Sequence, residues 1–267
     1  MNQDLLMVLE RMTVHYQPIV DLDSGAIAGC EALVRTVGAD GKTGSIDPVI
    51  EQIESDPALL DRLMRRLLGM IRRDAVPLLQ RYPGFYVSVN VPPAILGART
   101  ANGEPTILGM LIENDLIPYQ DRLVCEITER QSLSAQGRAA LELGRQNRIR
   151  LAVDDVGTGH SGVAQMLGLT IDVLKLDRSQ VVLVTKDVTA ERLVRGIIVL
   201  ASMIRARVVA EGVETAAQAF FLQAAGVDCG QGWFWSPALP AAELPKVLEA
   251  GFPNWRCDLV ERLNEAR

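Results

Sequence analysis

The chain has 267 residues, 48% of them hydrophobic, enough for a large core and close to the ~200–250 residues that α/β barrels occupy as a single domain. Its 27 Lys+Arg against 33 Asp+Glu give a net charge of −6, which argues against a protein that coats a nucleic-acid polymer, because phosphate-backbone binding needs a clustered basic excess. With only two histidines, His15 and His160, a His-rich zinc site is excluded, and any metal would have mostly oxygen ligands, which points to Mg²⁺ or Mn²⁺.

The first segment, "MNQDLLMVLERM", carries acids and no basic stretch, so a secretory signal is not expected. Two short apolar runs follow, "VHYQPIV" (14–20) and "AIAGCEALV" (26–34). Only "DLDSG" joins them, too short for a crossover helix, so they should pair as an antiparallel hairpin. "PALLDRLMRRLLGMIRRD" reads as an amphipathic helix whose basic edge faces solvent. Then come "FYVSVNV" (85–91), "RLVCEIT" (122–128), a helical pattern over 134–147, "IRLAVDD" (149–155) and "IDVLKLD" (171–177). A helix over 189–206 leads into "ARVVAEG" (206–212). "TAAQAFFLQAAG" (215–226) opens on a Thr-x-x-Gln capping box and closes at a glycine. The last run is "VDCGQGWFW" (227–235), followed by a helix over 239–252. Short runs rich in Val, Ile and Leu suit buried parallel strands. Strand and helix in alternation predict α/β architecture: one modified (β/α)₈ TIM-like barrel over 1–267 with an antiparallel first strand. The four cysteines show no CxxC spacing and read as free thiols of a cytoplasmic protein. No apolar stretch approaches the ~18 residues that would span a membrane.

Polar residues stand at the ends of these runs: Glu31, Asn90, Glu126, Asp154, Asp155, Lys175, Glu211 and Gln231. In a parallel barrel such ends converge on one face, where barrel enzymes keep their chemistry. Carboxylates gathered there would repel one another without cations. Two divalent ions bridged by one carboxylate resolve this, and they can clamp a phosphoryl group and activate water. The adjacent Asp154 and Asp155 suit such a bridge. Gly157-x-Gly159-x-x-Gly162 matches a dinucleotide-binding pattern, but it follows the fifth run and stands behind two acids. Its glycines are better read as turning a loop beside the metals. Trp233, Phe234 and Trp235 read as packing residues, with base stacking as the alternative, and His160 as loop surface and not a base.

"YQPIVDL", "CEALVR", "VSVNV", "CEITE", "VDDVGTG", "VLKLD", "VVAEGVET" and "GQGWFWSPALP", in that order over about 14–240, resemble the EAL domain of cyclic di-GMP phosphodiesterases. The resemblance implies hydrolysis of cyclic di-GMP to linear pGpG with two Mg²⁺ or Mn²⁺ ions in a bacterial signalling protein that forms homodimers; Ca²⁺, larger and looser in geometry, is expected to bind and inhibit. Glu31, Asn90, Glu126 and Asp154 correspond to ligands of one metal, and Asp154, Asp155 and Glu211 to those of the other. Lys175 corresponds to the lysine that orients the attacking water, which with Glu31 and Glu211 makes up the catalytic set. Arg35 corresponds to a phosphate grip, Gln17 and Gln231 to substrate-side polar anchors, and Glu129 to a brace for the loop after the fifth strand. The chain departs from the family pattern in that loop, with Val156 and His160 in place of aromatics and Ser161-Gly162-Val163 in place of Ser-Ser-Leu. It also lacks the Trp-x-His and Pro-x-x-Phe-Ile features after the second strand. A receptor that binds cyclic di-GMP without hydrolysing it is the alternative those departures leave open.

Overall fold

The computed structural model describes residues 3–38, 40–128, 133–157, 168–253 and 255. Among them are ten strands: β1 (Met12–Asp21), β2 (Ile27–Val37), β3 (Thr43–Ser45), β4 (Tyr86–Asn90), β5 (Leu123–Thr128), β6 (Arg150–Val156), β7 (Val173–Leu176), β8 (Arg207–Ala210), β9 (Cys229–Gly230) and β10 (Leu239–Pro240). They form one sheet, and the added pairing of β1 with β2 closes β1, β2 and β4 to β9 into a barrel. β1 runs antiparallel to both neighbours in the ring, β2 and β9, and the other ring pairs are parallel. The expected architecture, a TIM-like barrel with an antiparallel first strand, is the one observed.

The hairpin owes its turn to local chemistry. Asp21 Oδ1 accepts from the Ser24 amide at 2.9 Å and the Ser24 hydroxyl at 2.8 Å, an Asx-type turn. Gly25 follows at φ 72, and a Cβ there would lie 2.2 Å from the Phe252 carbonyl oxygen, so no other residue fits without moving the backbone.

The helices form where the sequence places them, with shifted ends. In helix Pro57–Asp74, the Asp56 side chain caps the Ala58 and Leu59 amides and Pro57 stands in the first turn. Leu60, Leu63, Met64, Leu67, Leu68 and Ile71 give it one buried stripe at helical spacing. Helix Ala216–Ala225 has the expected capping box, Thr215 with Gln218, and ends at Gly226 with φ 96. Two readings were too long. The last run forms strand only at Cys229–Gly230, because the chain turns at Gly232 to lie against Val213. The final helix spans only Leu244–Ala250, since Leu239–Pro240 pairs with β1 instead.

The floor of the barrel is apolar: Ile19, Tyr86, Val124, Ala152, Val173, Val209 and Cys229 make one buried cluster. Side chains alternate across a strand with period two. The next inward position therefore falls on Ser88, Glu126, Asp154, Lys175, Glu211 and Gln231 in the parallel strands and β9. In antiparallel β1 it falls two residues earlier, on Gln17. This alternation places the polar layer on the apolar floor. Among the described residues no helix is long and apolar enough to cross a membrane.

Candidate active site

Lys175 stands at the centre of the polar layer and is 1% exposed. Its Nζ lies 2.5 Å from Glu211 Oε1, 2.9 Å from Glu126 Oε2, 3.4 Å from Glu31 Oε2 and 3.5 Å from Asp154 Oδ2. Glu31, Glu126 and Asp154 come from three different strands and Glu211 stands just past β8, so the site exists only when the barrel is closed.

The polar neighbours hold the acids in place. Asn90 Nδ2 donates to Glu31 Oε1 at 2.8 Å, and Gln231 Nε2 donates to Glu31 Oε2 at 2.8 Å and to Gln17 Oε1 at 3.0 Å. Gln17 Nε2 in turn donates to the Ser236 carbonyl. The Ser88 hydroxyl donates to Glu126 Oε1, on the side away from Lys175. Within this cluster, among the described residues, the buried Gln231 Oε1 and Glu211 Oε1 have no hydrogen bond, though the latter lies 2.5 Å from Lys175 Nζ.

Charge is out of balance here. Burial alone would raise every carboxyl, and it dominates at Glu126, which sits well above the ordinary range with the charges of Glu31, Asp154 and Glu211 adding to the effect. Burial likewise pushes Glu211 up to about 8, with Lys175 opposing and the neighbouring acids reinforcing. Glu31 moves the other way. Burial works against its ionisation, but Lys175 and the donors Gln231 and Asn90 outweigh it and hold the carboxyl below its usual range. Burial would lower Lys175, yet the four acids hold it well above the usual lysine value. One ammonium among four carboxylates leaves excess negative charge that divalent cations would neutralise. Asn90 supports that fit, since its nitrogen is engaged with Glu31 and its oxygen remains available as a neutral ligand. Among the described residues no three acidic, histidine or cysteine side chains are already arranged to hold a metal ion. They converge on the lysine.

Asp155 departs from the strand geometry. Its φ of 58 lies in the left-handed region, and its amide donates to Asp154 Oδ1 at 2.8 Å. Regular strand would point the two carboxylates to opposite faces; the left-handed backbone brings Asp155 beside Asp177 instead. Asp177 had no role in the sequence reading. Its signal was available, because it stands two residues past Lys175, the same-face spacing of a strand. The Asp177 carboxyl lies below its usual range: burial opposes this, and hydrogen bonds from the Ser179 side chain and amide prevail.

Arg35 lies on the same face of β2 as Glu31 and Leu33, further out, where its Nη1 donates to the Val34 carbonyl at 3.0 Å. It is opposite Thr13 and near His15, whose pKa is lowered by burial and then by the Arg35 charge. Val156 is buried, 3% exposed, and its carbonyl accepts from Gln180 Nε2 at 2.8 Å. Glu129 and His160 lie outside the described residues, as do Gly159 and Gly162. Phe234 and Trp235 pack as expected, edge to face at 5.0 Å. Trp233 does not: it is 71% exposed and lines a cavity of about 260 Å³ with Gln17, Glu31, Glu211 and Gln231.

The family model described as "EAL domain" matches residues 3–238. The chain is 34% identical over 239 residues to the probable cyclic di-GMP phosphodiesterase PdeB of Escherichia coli K12, covering 88% of this chain and 44% of that protein. It is 31% identical over 242 residues to the cyclic di-GMP phosphodiesterase PdeL of the same organism, covering 88% and 65%. Among solved structures, the PaMucR phosphodiesterase in complex with c-di-GMP superposes with a TM-score of 0.80 at 26% identity, covering 91% of this chain and 98% of that one. The EAL enzyme Bd1971, in its form bound to cAMP and cyclic di-GMP, gives 0.78 at 26% identity, covering 92% and 69%. The chain spans less than two thirds of the length of the curated relatives it matches. With the barrel topology and the eight ordered motifs, the match over nearly the whole chain establishes that this chain belongs to the EAL domain family.

Proposed function

We propose that this chain hydrolyses one phosphodiester of cyclic di-GMP to linear pGpG, using two divalent cations, Mg²⁺ or Mn²⁺. The observation that carries the reading is the cluster of Glu31, Glu126, Asp154 and Glu211 around the buried Lys175 at the mouth of the barrel. Relatives named as cyclic di-GMP phosphodiesterases and related EAL structures with cyclic di-GMP bound support it.

Glu31, Asn90, Glu126 and Asp154 would hold one cation, and Asp154, Asp155 and Glu211 the other. Bound there, the cations would supply Lewis-acid polarisation of the phosphate and a more acidic water. The side chains do the rest. Lys175, kept protonated by its acidic neighbours, offers a buried donor to orient the attacking water. Gln231 and Asn90 hold the Glu31 carboxylate in one orientation. Arg35, with a planar fork of donors, suits a phosphate approaching along β2. The free Gln231 Oε1 can accept from substrate or water. The reading includes homodimeric assembly in the cytoplasm, to be checked by sedimentation velocity and cell fractionation.

Chromatographic detection of pGpG, with Mg²⁺ and with excess chelator, tests the proposal. Product formed only with metal is the expected result. Binding of cyclic di-GMP without turnover would identify a receptor instead, and failure to bind would refute both readings.

A further inference from the structure

We propose that Gln180 is a positioning residue for the hydrolysis, pinning the backbone bulge that carries Asp154 and Asp155. This rests on the two-cation reading above and deepens it by naming what sets the direction of two of its ligands.

The bulge is visible in the register of two strands. Val153 pairs with Leu174 and Val156 with Leu176, so β6 places two residues, Asp154 and Asp155, opposite the single Lys175 of β7. An extra residue of this kind bends a strand, re-aims its side chains and breaks the local ladder of hydrogen bonds. Positive φ at Asp155 (58) and at Gly157 (91) marks the turns on either side of Val156. Strand pairing alone therefore does not hold this segment, and another contact must.

Gln180 makes that contact. It stands on helix Arg178–Val181, in the turn that follows Lys175, and its Nε2 donates to the Val156 carbonyl at 2.8 Å. The residue is 6% exposed. Its backbone is fixed, because the Asp177 side chain accepts from the Ser179 amide at 2.9 Å and the Gln180 amide donates to the Asp177 carbonyl at 3.0 Å. Gln180 Oε1 is buried and has no hydrogen bond among the described residues, so the Val156 carbonyl decides how the amide is turned. A methionine would fill a similar space without burying an unpaired oxygen, so the donor is the property this position uses.

Helix and bulge fit closely. A Cβ on Gly157 would lie 2.5 Å from Gln180 Nε2 and 3.0 Å from Ile197 Cδ1. The same turn presents Lys175 to the carboxylates and Asp177 to Asp155. Gln180 thus ties the backbone of two acids to the element that carries the lysine, without reaching the reacting atoms itself.

Gln180→Met keeps the length of the side chain and removes the donor. It exchanges one unpaired oxygen, Gln180 Oε1, for another, the Val156 carbonyl, so its Tm in chelator should stay within about 3 °C of wild type. Mn²⁺ titration followed by electron paramagnetic resonance should show affinity about tenfold weaker, the scale expected when a group that orients a metal ligand is lost. At limiting Mg²⁺, kcat should fall by a similar factor and recover as Mg²⁺ is raised, while KM for cyclic di-GMP stays within about threefold. Gly157→Ala presses on the amide from the other side. It should also weaken Mn²⁺ binding, and by a smaller factor in a Gln180→Ala background, where the clash is gone. Unchanged Mn²⁺ affinity in Gln180→Met overturns the assignment and leaves the two-cation reading intact. A kcat loss that Mg²⁺ does not restore, or a Tm far below wild type, overturns it in the same way. No Mn²⁺ binding by wild type overturns the two-cation reading and the assignment with it.

Discussion

On the proposed reading Lys175 has two separable tasks, and its replacement distinguishes them. As the one cation among two buried acids, Glu31 and Glu126, and two half-buried ones, Asp154 and Glu211, it stabilises a fold that would otherwise bury uncompensated charge. Removing one partner of a buried ion pair costs about 3–5 kcal/mol. Lys175→Ala in chelator should therefore melt well below wild type, and Mg²⁺ should restore much of the difference by neutralising the same acids. Differential scanning calorimetry with and without Mg²⁺ measures this; a variant as stable as wild type in chelator would contradict the ion-pair account. The second task is kinetic. With metal present, Lys175→Ala should still bind cyclic di-GMP but lose kcat, the pattern expected when an interaction made only in the transition state is lost. Glu31→Ala should instead weaken metal and substrate binding together. Single-turnover rates and equilibrium binding on both variants separate the two patterns, and identical behaviour would refute the assignment of roles.

At the scale of the strand, the layering depends on one small residue. Gly29 precedes Glu31 by two positions on the inner face of β2, and a Cβ there would lie 2.7 Å from the ring of Tyr86. Tyr86 fills the floor at that point and lies under the Arg150 guanidinium, 4.6 Å from ring centroid to Cζ. Gly29→Ala should thus overpack the floor, at about 1–3 kcal/mol, and displace the strand segment that presents Glu31. Lower Tm with weakened metal affinity is expected, and Tyr86→Leu in the same chain should recover part of both. A neutral Gly29→Ala would mean that the ring moves aside freely. This layer was readable in the sequence because period two is strict: apolar residues at 124, 152, 173 and 209 announce the inward positions of Glu126, Asp154, Lys175 and Glu211. The hairpin was readable from the five residues that join its strands. Where period two breaks, alternation no longer gives the direction of a side chain. Asp155 takes a positive φ within β6, so its placement beside Asp177 does not follow from alternation. Trp233 lies past the two-residue β9, where tertiary contact with Val213 sets its orientation and apolar character alone suggested burial.

For the molecule as a whole, the site is a junction of strands from both halves of the chain, with Glu31 near one end and Glu211 near the other. Any ion bound by these acids ties the barrel closed, and only the folded state presents them together. Binding to the folded state alone stabilises by RT ln(1 + [L]/Kd), about 2.7 kcal/mol at a hundredfold excess over Kd. Mg²⁺ and Mn²⁺ should each raise Tm in a concentration-dependent way, and chelator should return it to the metal-free value. Ca²⁺ separates stability from chemistry. It accepts the same oxygen ligands at longer distances and with looser geometry, so it should also raise Tm. Hydrolysis as proposed is more demanding, because Lys175 and the phosphate would have to meet one attacking water in register. Ca²⁺ should therefore stabilise the protein, admit cyclic di-GMP and suppress turnover when added to Mg²⁺-loaded enzyme. Melting curves and pGpG formation, measured across matched titrations of the three ions, test this. Turnover in excess chelator would refute the two-cation mechanism, and Ca²⁺ that supports hydrolysis as well as Mg²⁺ would show that ligand geometry does not control the reaction.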